Sequence, residues 1–335
     1  MRNLHRWPVL GILLLAGCRE ALPGPPEKTG VTFLLSGSDT RTTATSGEGR
    51  VNDWTLLLFR EGSLAESGVS ASDGPIRCSL EAGAYTAVAV ANPPSSFQAG
   101  QQLDYQAFSG IESVLEDNSP SRLVMVGHRS LVIPPPGGEP QEIHVERLVC
   151  KAGIRKISTG FSDPLLAERP FVLKALYLTN CYGRTRLGGD LEASGIDAAA
   201  SSWYNRMGFQ SALGVNALLC DRDIDATITA DRPYRQEHAF YFYPNPTETD
   251  SRSGSSSWSP RPTRLVIEAE IGGKTYYYPV TLPVSRRNRT YIIEEAVIRT
   301  LGSADPEGNE PGSVDITFST AAGAWNPVLD VQENS

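Results

Sequence analysis

The chain has 335 residues, a formal net charge of −8 and 40% hydrophobic residues. That length allows two domains of ordinary size, and the apolar share is compatible with a packed core. The acidic balance argues against nucleic acid or an anionic membrane surface as a partner.

The N-terminus, MRNLHRWPVLGILLLAGC, carries Arg2 and Arg6 and has no acidic residue before Glu20. Its apolar run, Val9 to Ala16, is too short for a bilayer, which needs about 20 apolar residues. A basic start, a short apolar core and a small-residue exit make a secretory signal. Leu15-Ala16-Gly17-Cys18 fits the lipobox of a lipoprotein signal peptidase. It predicts a signal peptide over residues 1–17, cleavage between Gly17 and Cys18, and acylation (palmitate) of the Cys18 thiol. One acyl chain anchors only marginally, whereas two hold firmly, so a multiply acylated Cys18 would be held firmly in a membrane. The mature chain keeps 28 of the 30 basic residues and all 38 acidic ones, a net charge of −10. Residues 18–30, rich in proline and glycine, predict a flexible tether.

Strand signals dominate the rest. Val31 to Leu35 alternates, with Val31, Phe33 and Leu35 on one face. Trp54 to Phe59 and Tyr85 to Val90 are runs of the kind found in buried strands, the second stopped by Asn92-Pro93-Pro94. Leu123 to Val126, Ser130 to Ile133 and Ile143 to Val149 follow. The second half continues with Phe171 to Leu178, Ala239 to Tyr243, Arg264 to Ile271, Thr275 to Leu282, Thr290 to Ile298 and Val314 to Phe318. Each run is short, β-branched or aromatic, and bounded by Gly, Pro, Asn or Asp. Gly272-Gly273 reads as a hairpin turn. Tyr105 to Leu115 predicts one helix or a pair of turns. The pattern predicts an all-β protein of antiparallel sandwiches with little helix. A boundary near Cys150 divides residues 31–150 from residues 151–335. Ser251 to Pro262 predicts a surface loop.

Motifs for chemistry are sparse. His5, His128, His144 and His238 are scattered, and no HExxH, GxSxG or phosphate-binding loop occurs. Gly47-Glu48-Gly49 opens a GxG pattern that fails at Asn52. Asp221-Arg222-Asp223-Ile224-Asp225 starts like a calcium loop, but Ala226 stands where glycine is required and Arg232 where the bidentate Glu belongs. Glu268 and Glu270 share a strand face, most simply the wet one. Glu294 and Glu295 point to opposite faces unless a bulge intervenes. Tyr241, Tyr243 and Tyr276 to Tyr278 suit cross-strand packing or a sugar platform. Cys78, Cys150, Cys181 and Cys220 lie far apart, which leaves disulfides and buried thiols both open. No enzyme, cofactor or metal is expected.

The ordered segments resemble the fimbrillin family, the type V pilins of certain Gram-negative anaerobes. The resemblance rests on the strand Val31 to Leu35 leading through Ser38-Asp39-Thr40-Arg41 to Val51 to Phe59. It continues with Ile76-Arg77-Cys78-Ser79, Val88 to Asn92, the basic segment Arg147 to Ala152 and Phe240 to Asn245. Tyr276 to Leu282 with Arg287-Asn288-Arg289-Thr290-Tyr291, and the ending Trp325 with Val328 to Val331, complete it. It implies two transthyretin-like β-sandwich domains and a surface fimbrium (pilus) with a role in cell adhesion. It further implies an arginine-specific protease that cuts after the first strand, residues 31–36. Arg41, with Thr42 after it, best matches that cleavage position, and Arg50 is second. Removing Val31, Phe33 and Leu35 would open a groove. A donor segment of about residues 324–335 from another copy or a related pilin, with Trp325, Val328, Leu329 and Val331, would fill it by donor-strand exchange. Two alternatives remain open at this level. One is a surface lipoprotein that binds glycan or a host protein without polymerising, and the other is a pilus anchor or tip subunit.

Overall fold

The computed structural model describes residues 28–37, 47–98, 103–135, 139–189, 199–206, 216–248, 259–306 and 312–319. Strand accounts for about 53% of the structure and helix for 6%, so the protein is all-β.

The first group of strands is β1 (Lys28–Ser36), β2 (Trp54–Arg60), β3 (Ser63–Ser70), β4 (Ile76–Glu81), β5 (Gly83–Ala91), β6 (Glu112–Val114), β7 (Met125–Ile133), β8 (Gln141–His144) and β9 (Glu146–Arg147). The second group opens with β10 (Cys150–Ile154), β11 (Ile157–Thr159), β12 (Phe171–Thr179), β13 (Cys181–Tyr182), β14 (Arg184–Arg186), β15 (Trp203–Tyr204) and β16 (Cys220–Asp221). It closes with β17 (Ala226–Ile228), β18 (His238–Phe242), β19 (Arg264–Ile271), β20 (Lys274–Thr281), β21 (Thr290–Ile298) and β22 (Val314–Ser319). Two short helices, α1 (Tyr105–Ser109) and α2 (Pro164–Ala167), interrupt them.

A three-stranded sheet in the order β4-β1-β8 faces a five-stranded sheet, β3-β2-β5-β7-β9. Between them lies a core of Val31, Phe33, Leu35, Trp54, Leu56, Leu58 and their neighbours. The opposite face of β2 and β5 is also buried, through Leu57, Phe59, Val88 and Val90. Burial on both faces explains why these two strands read as continuous apolar runs rather than alternating ones. The apolar cluster on that second face continues into the sheets β11-β21-β10-β18, with β22 on β21, and β16-β12-β19-β20. Among the described strands, one pairing joins the two groups: β6 with β14.

Most pairings are antiparallel, as expected, but β1–β8, β10–β21 and β11–β21 are parallel. Several boundaries also differ from the sequence reading. Lys28 to Gly30, expected in the tether, begin β1 instead. The runs at Leu123 and Ser130 belong to one feature centred on β7, which continues straight through Gly127. A Cβ at Gly127 would stand 2.1 Å from the His144 carbonyl oxygen, so only glycine lets β7 pass the β8 backbone there. Tyr105 to Leu115 forms α1, β6 and the start of a 3₁₀ turn. Asp104 caps α1 by accepting from the Ala107 N–H at 2.7 Å. Gly272 and Gly273 have φ of +60° and +78°, which makes the predicted β19–β20 hairpin turn.

Candidate functional site

β1 lies at the centre of its sheet. On one side residues Lys28 to Phe33 pair antiparallel with Glu81 to Ile76 of β4. On the other, Phe33 to Ser36 pair parallel with Gln141 to His144 of β8. The two walls are staggered, and Phe33 is the one β1 residue in register with both.

The alternation seen in the sequence sets which side chains point inward. Val31, Phe33 and Leu35 are buried, with Phe33 at 0% exposure. They pack against a floor that includes Trp54, Leu56, Leu58, Ala87 and Ala89, between Cys78 on β4 and Ile143 on β8. Trp54 is fixed by donating its indole N–H to the Gly74 carbonyl at 2.9 Å. Burial pushes the Cys78 thiol up to about 11, so this inward-facing thiol stays neutral at physiological pH. If β1 were removed, a strand-wide slot with an apolar floor would open, with unsatisfied backbone groups on both walls. Burying the three side chains is worth about 5–9 kcal/mol at roughly 1.5–3 kcal/mol each.

The chain leaves β1 at Gly37 and is described again from Gly47. A Cβ at Gly37 would sit 2.8 Å from the Val145 carbonyl oxygen, which places this exit against the β8–β9 connection. Re-entry is beside β9: Glu48 accepts, through its backbone carbonyl, from Arg147 Nε at 3.1 Å. The two ends of the intervening segment therefore flank the same stretch of chain. Arg41 and Thr42 fall within residues 38–46, outside the described residues. Gly17, Cys18 and the donor residues Trp325, Val328, Leu329 and Val331 also lie outside the described residues. Arg50, the second candidate for cleavage, is exposed but closes a turn, donating its N–H to Gly47 at 3.0 Å.

A buried polar network beside this segment was not anticipated as a unit. Glu48 is only 7% exposed and Arg147 only 1%. The Glu48 carboxylate meets Lys151 Nζ at 2.8 Å and accepts from the Tyr241 hydroxyl. Arg147 Nη1 also donates to Asn288 Oδ1 at 3.3 Å. Burial and then the bond to Glu48 push the Tyr241 hydroxyl far above its ordinary range, so it stays a donor. The basic spacing of Arg147 and Lys151 in an otherwise apolar strand region was the available signal, but sequence did not reveal Glu48 as their partner. Tyr243 similarly ties the strand groups together, bonding Ser113 Oγ and Asn118 Nδ2, each at 2.8 Å, and the Val114 carbonyl at 2.9 Å.

The remaining candidates do not converge. Asp221 contacts His238 at 2.5 Å, while Asp225 pairs with Lys174. Their carboxylates thus serve separate partners. A bulge between Ile293 and Glu295 accompanies two separate ion pairs: Glu294 with Arg155 and Glu295 with Lys156, each at 2.7 Å. Glu268 is partly buried rather than simply on a wet face, and burial raises its pKa. Tyr241, Tyr243 and Tyr278 are buried in the core, leaving Tyr276 and Tyr277 half-buried. Cys78, Cys150, Cys181 and Cys220 form no disulfide among the described residues. Burial raises the thiols of Cys181 and Cys220 as well.

No family model and no curated protein matches the chain. Solved structures do. A candidate cell adhesion protein of Bacteroides eggerthii aligns with a TM-score of 0.64 and 15% identity, over 89% of this chain and 97% of that one. The fimbrilin FimA of Porphyromonas gingivalis aligns with a TM-score of 0.61 and 15% identity, over 87% and 96%. The tip fimbrial protein Mfa3 of the same organism, with a C-terminal truncation, aligns with a TM-score of 0.53 and 14% identity, over 87% and 98%. The chain shares the fold of these structures.

Proposed function

We propose that the chain is a structural subunit of a surface fimbrium that polymerises by donor-strand exchange. The observation that carries this reading is the position of β1. It is a central strand near the N-terminal end of the described chain, and removing it alone would expose a lined slot rather than merely shorten an edge. An open slot of this kind is a template for strand addition. Head-to-tail filling of one copy's slot by the next copy's segment does not close on itself, and so it propagates as a filament.

On this reading the precursor travels on a Cys18 lipid to the outer membrane. An arginine-specific protease cuts between Arg41 and Thr42, which frees the lipidated end together with β1. The segment at residues 324–335 of another copy, or of a related pilin, then enters. Residues two apart share a face in a strand, so Trp325, Leu329 and Val331 would point to the floor together. The fold shared with FimA supports a fimbrial role, as does the burial of three of the five candidate platform tyrosines. The role is structural, with no enzymatic step assigned to the chain.

The test uses protein starting at Arg19 and an arginine-specific protease. A cut at Arg41–Thr42 followed by SDS-resistant ladders is expected. A protein that is cut there, loses β1 and stays strictly monomeric refutes polymerisation and leaves a surface binding protein as the better description.

A further inference from the structure

The turn Gly47 to Arg50 stands shortly before β2 and is held by both side-chain and backbone contacts. Its backbone closes through the Arg50 N–H on the Gly47 carbonyl at 3.0 Å, with Gly47 at φ +67°. Glu48 is nine-tenths buried. Its carboxylate is held by Lys151 of β10 and Tyr241 of β18, and its carbonyl by Arg147 of β9. The Arg50 carbonyl accepts from the side-chain amide of Asn92 at 2.8 Å, and Asn92 is fully buried. The same Asn92 side chain accepts from the Asn52 backbone N–H at 2.9 Å. The Arg50–Val51 peptide bond is therefore anchored on both sides by groups from four separate strands or strand ends.

Judged by residue type and exposure alone, Arg50 suits an arginine-specific protease well. Susceptibility is decided by burial and hydrogen bonding of the backbone around the bond, however. An endoprotease must straighten several residues around the bond it cuts, and here that means withdrawing Glu48 from its partners. Removing a buried carboxylate from a cation held at 2.8 Å is strongly unfavourable.

We infer that the Gly47–Arg50 turn is a built-in stop for N-terminal removal. Glu48 is its positioning residue, and the Arg50–Val51 bond is protected in the folded chain. Processing then ends upstream of Gly47. The new N-terminus is followed within a few residues by an anchored carboxylate that keeps β2 and the slot floor in place after β1 departs. The protection of Arg50 follows from the contacts alone. Only its use in maturation rests on the proposed function.

The experiment treats the full chain from Arg19 with an arginine-specific protease under native conditions and follows product masses over time. In the wild type, products beginning at Val51 should be absent while upstream products accumulate. Cleavage of a transiently opened segment follows the open population when reclosing is fast, so Glu48→Ala should release the Val51 product at least tenfold faster. Lys151→Met keeps the apolar stem and removes the charge from the other side. It should raise the same rate, and it serves should Glu48→Ala fail to give a native near-ultraviolet circular dichroism spectrum. Glu48→Gln, which retains hydrogen-bonding capacity, should fall between. The inference is overturned if wild-type protein is cut at Arg50–Val51 as fast as at Arg41–Thr42, or if folded variants are cut there no faster than wild type. Protection of Arg50 with no cut at Arg41 supports the stop and counts instead against the maturation scheme.

Discussion

On the proposed function, Phe33→Ala distinguishes the uncut chain, which β1 holds together, from a polymer that β1 would have left. Phe33 is fully buried, in register with both walls, and packed over the Trp54 and Leu56 floor. Truncating a buried Phe removes its transfer free energy and leaves a cavity, about 3–5 kcal/mol in all. At about 2–4 °C of melting temperature per kcal/mol for a unit of this size, the uncut precursor should melt roughly 10 °C lower. On the proposed function the polymer should not notice the change, because β1 would have left and a donor side chain would occupy that place. The assay is thermal unfolding by circular dichroism of uncut wild type and variant, beside the dissociation temperature of the SDS-resistant ladders from each. Two results refute the reasoning. An unchanged precursor would mean that Phe33 does not hold the first sandwich together. Ladders destabilised by the same amount would mean that β1 stays in the assembled subunit.

Three further outcomes are expected. Deleting Asn326 to Ser335 should leave the uncut melting temperature within a degree or two and abolish ladders, and normal ladders from this truncation would sink the donor assignment. Asn92 combines φ +50° with side-chain bonds to the Arg50 and Leu123 carbonyls. At about 1–3 kcal/mol for each buried group left unsatisfied, Asn92→Ala should lower stability by about 3 kcal/mol in urea unfolding. Asn92→Gly should cost less, since glycine tolerates the left-handed backbone. Burial raises the pKa of Glu268, so the folded state binds its proton more readily than the unfolded state does. This carboxyl therefore favours folding below its unfolded pKa, and that benefit is lost as pH rises through the raised value. Glu268→Gln should accordingly melt higher than wild type at pH 8, with the gap closing below about pH 4, near the ordinary Glu value. A variant less stable than wild type at pH 8 would contradict the assignment.

Strands whose inward faces alternate, or whose two faces are both buried, were legible because apolar periodicity is set by the residues themselves. Arg264 to Ile271 and Thr290 to Ile298 match β19 and β21 end to end. β3 was missed because it is an edge strand of mostly small and polar residues, Ser63 to Ser70, with no apolar face to announce it. Its hairpin with β2 turns on Glu61 and Gly62, at φ +51° and +81°, and Glu gives no warning of a left-handed backbone. The parallel pairings were invisible because direction depends on long-range topology, not on a strand's own pattern. The same limit hid the Glu48 network. Glu48 lies 103 positions from Lys151 and 193 from Tyr241, and in sequence its surroundings suggested only a failed glycine motif.

The central place of β1 also constrains how a donor could replace it. Since β1 runs antiparallel to β4 and parallel to β8, those two walls run antiparallel to each other. A strand entering in either direction then makes one antiparallel and one parallel ladder, and backbone bonding selects its direction only weakly. The β4 wall is the longer, spanning Lys28 to Phe33 against Phe33 to Ser36 for β8. Antiparallel pairing is slightly the more stable per residue, which favours a donor running the way β1 runs. Register needs a stronger determinant, because a one-residue slip turns every inward side chain to the outer face. The side chains supply it. An entering strand must present apolar groups at every second position to the sites of Val31, Phe33 and Leu35. The middle site, where both walls overlap and exposure is 0%, penalises a polar or missing group most. On the proposed function, selectivity among donor strands would thus rest on the residue that replaces Phe33, and a donor with a charge there should fail even when its backbone could pair throughout.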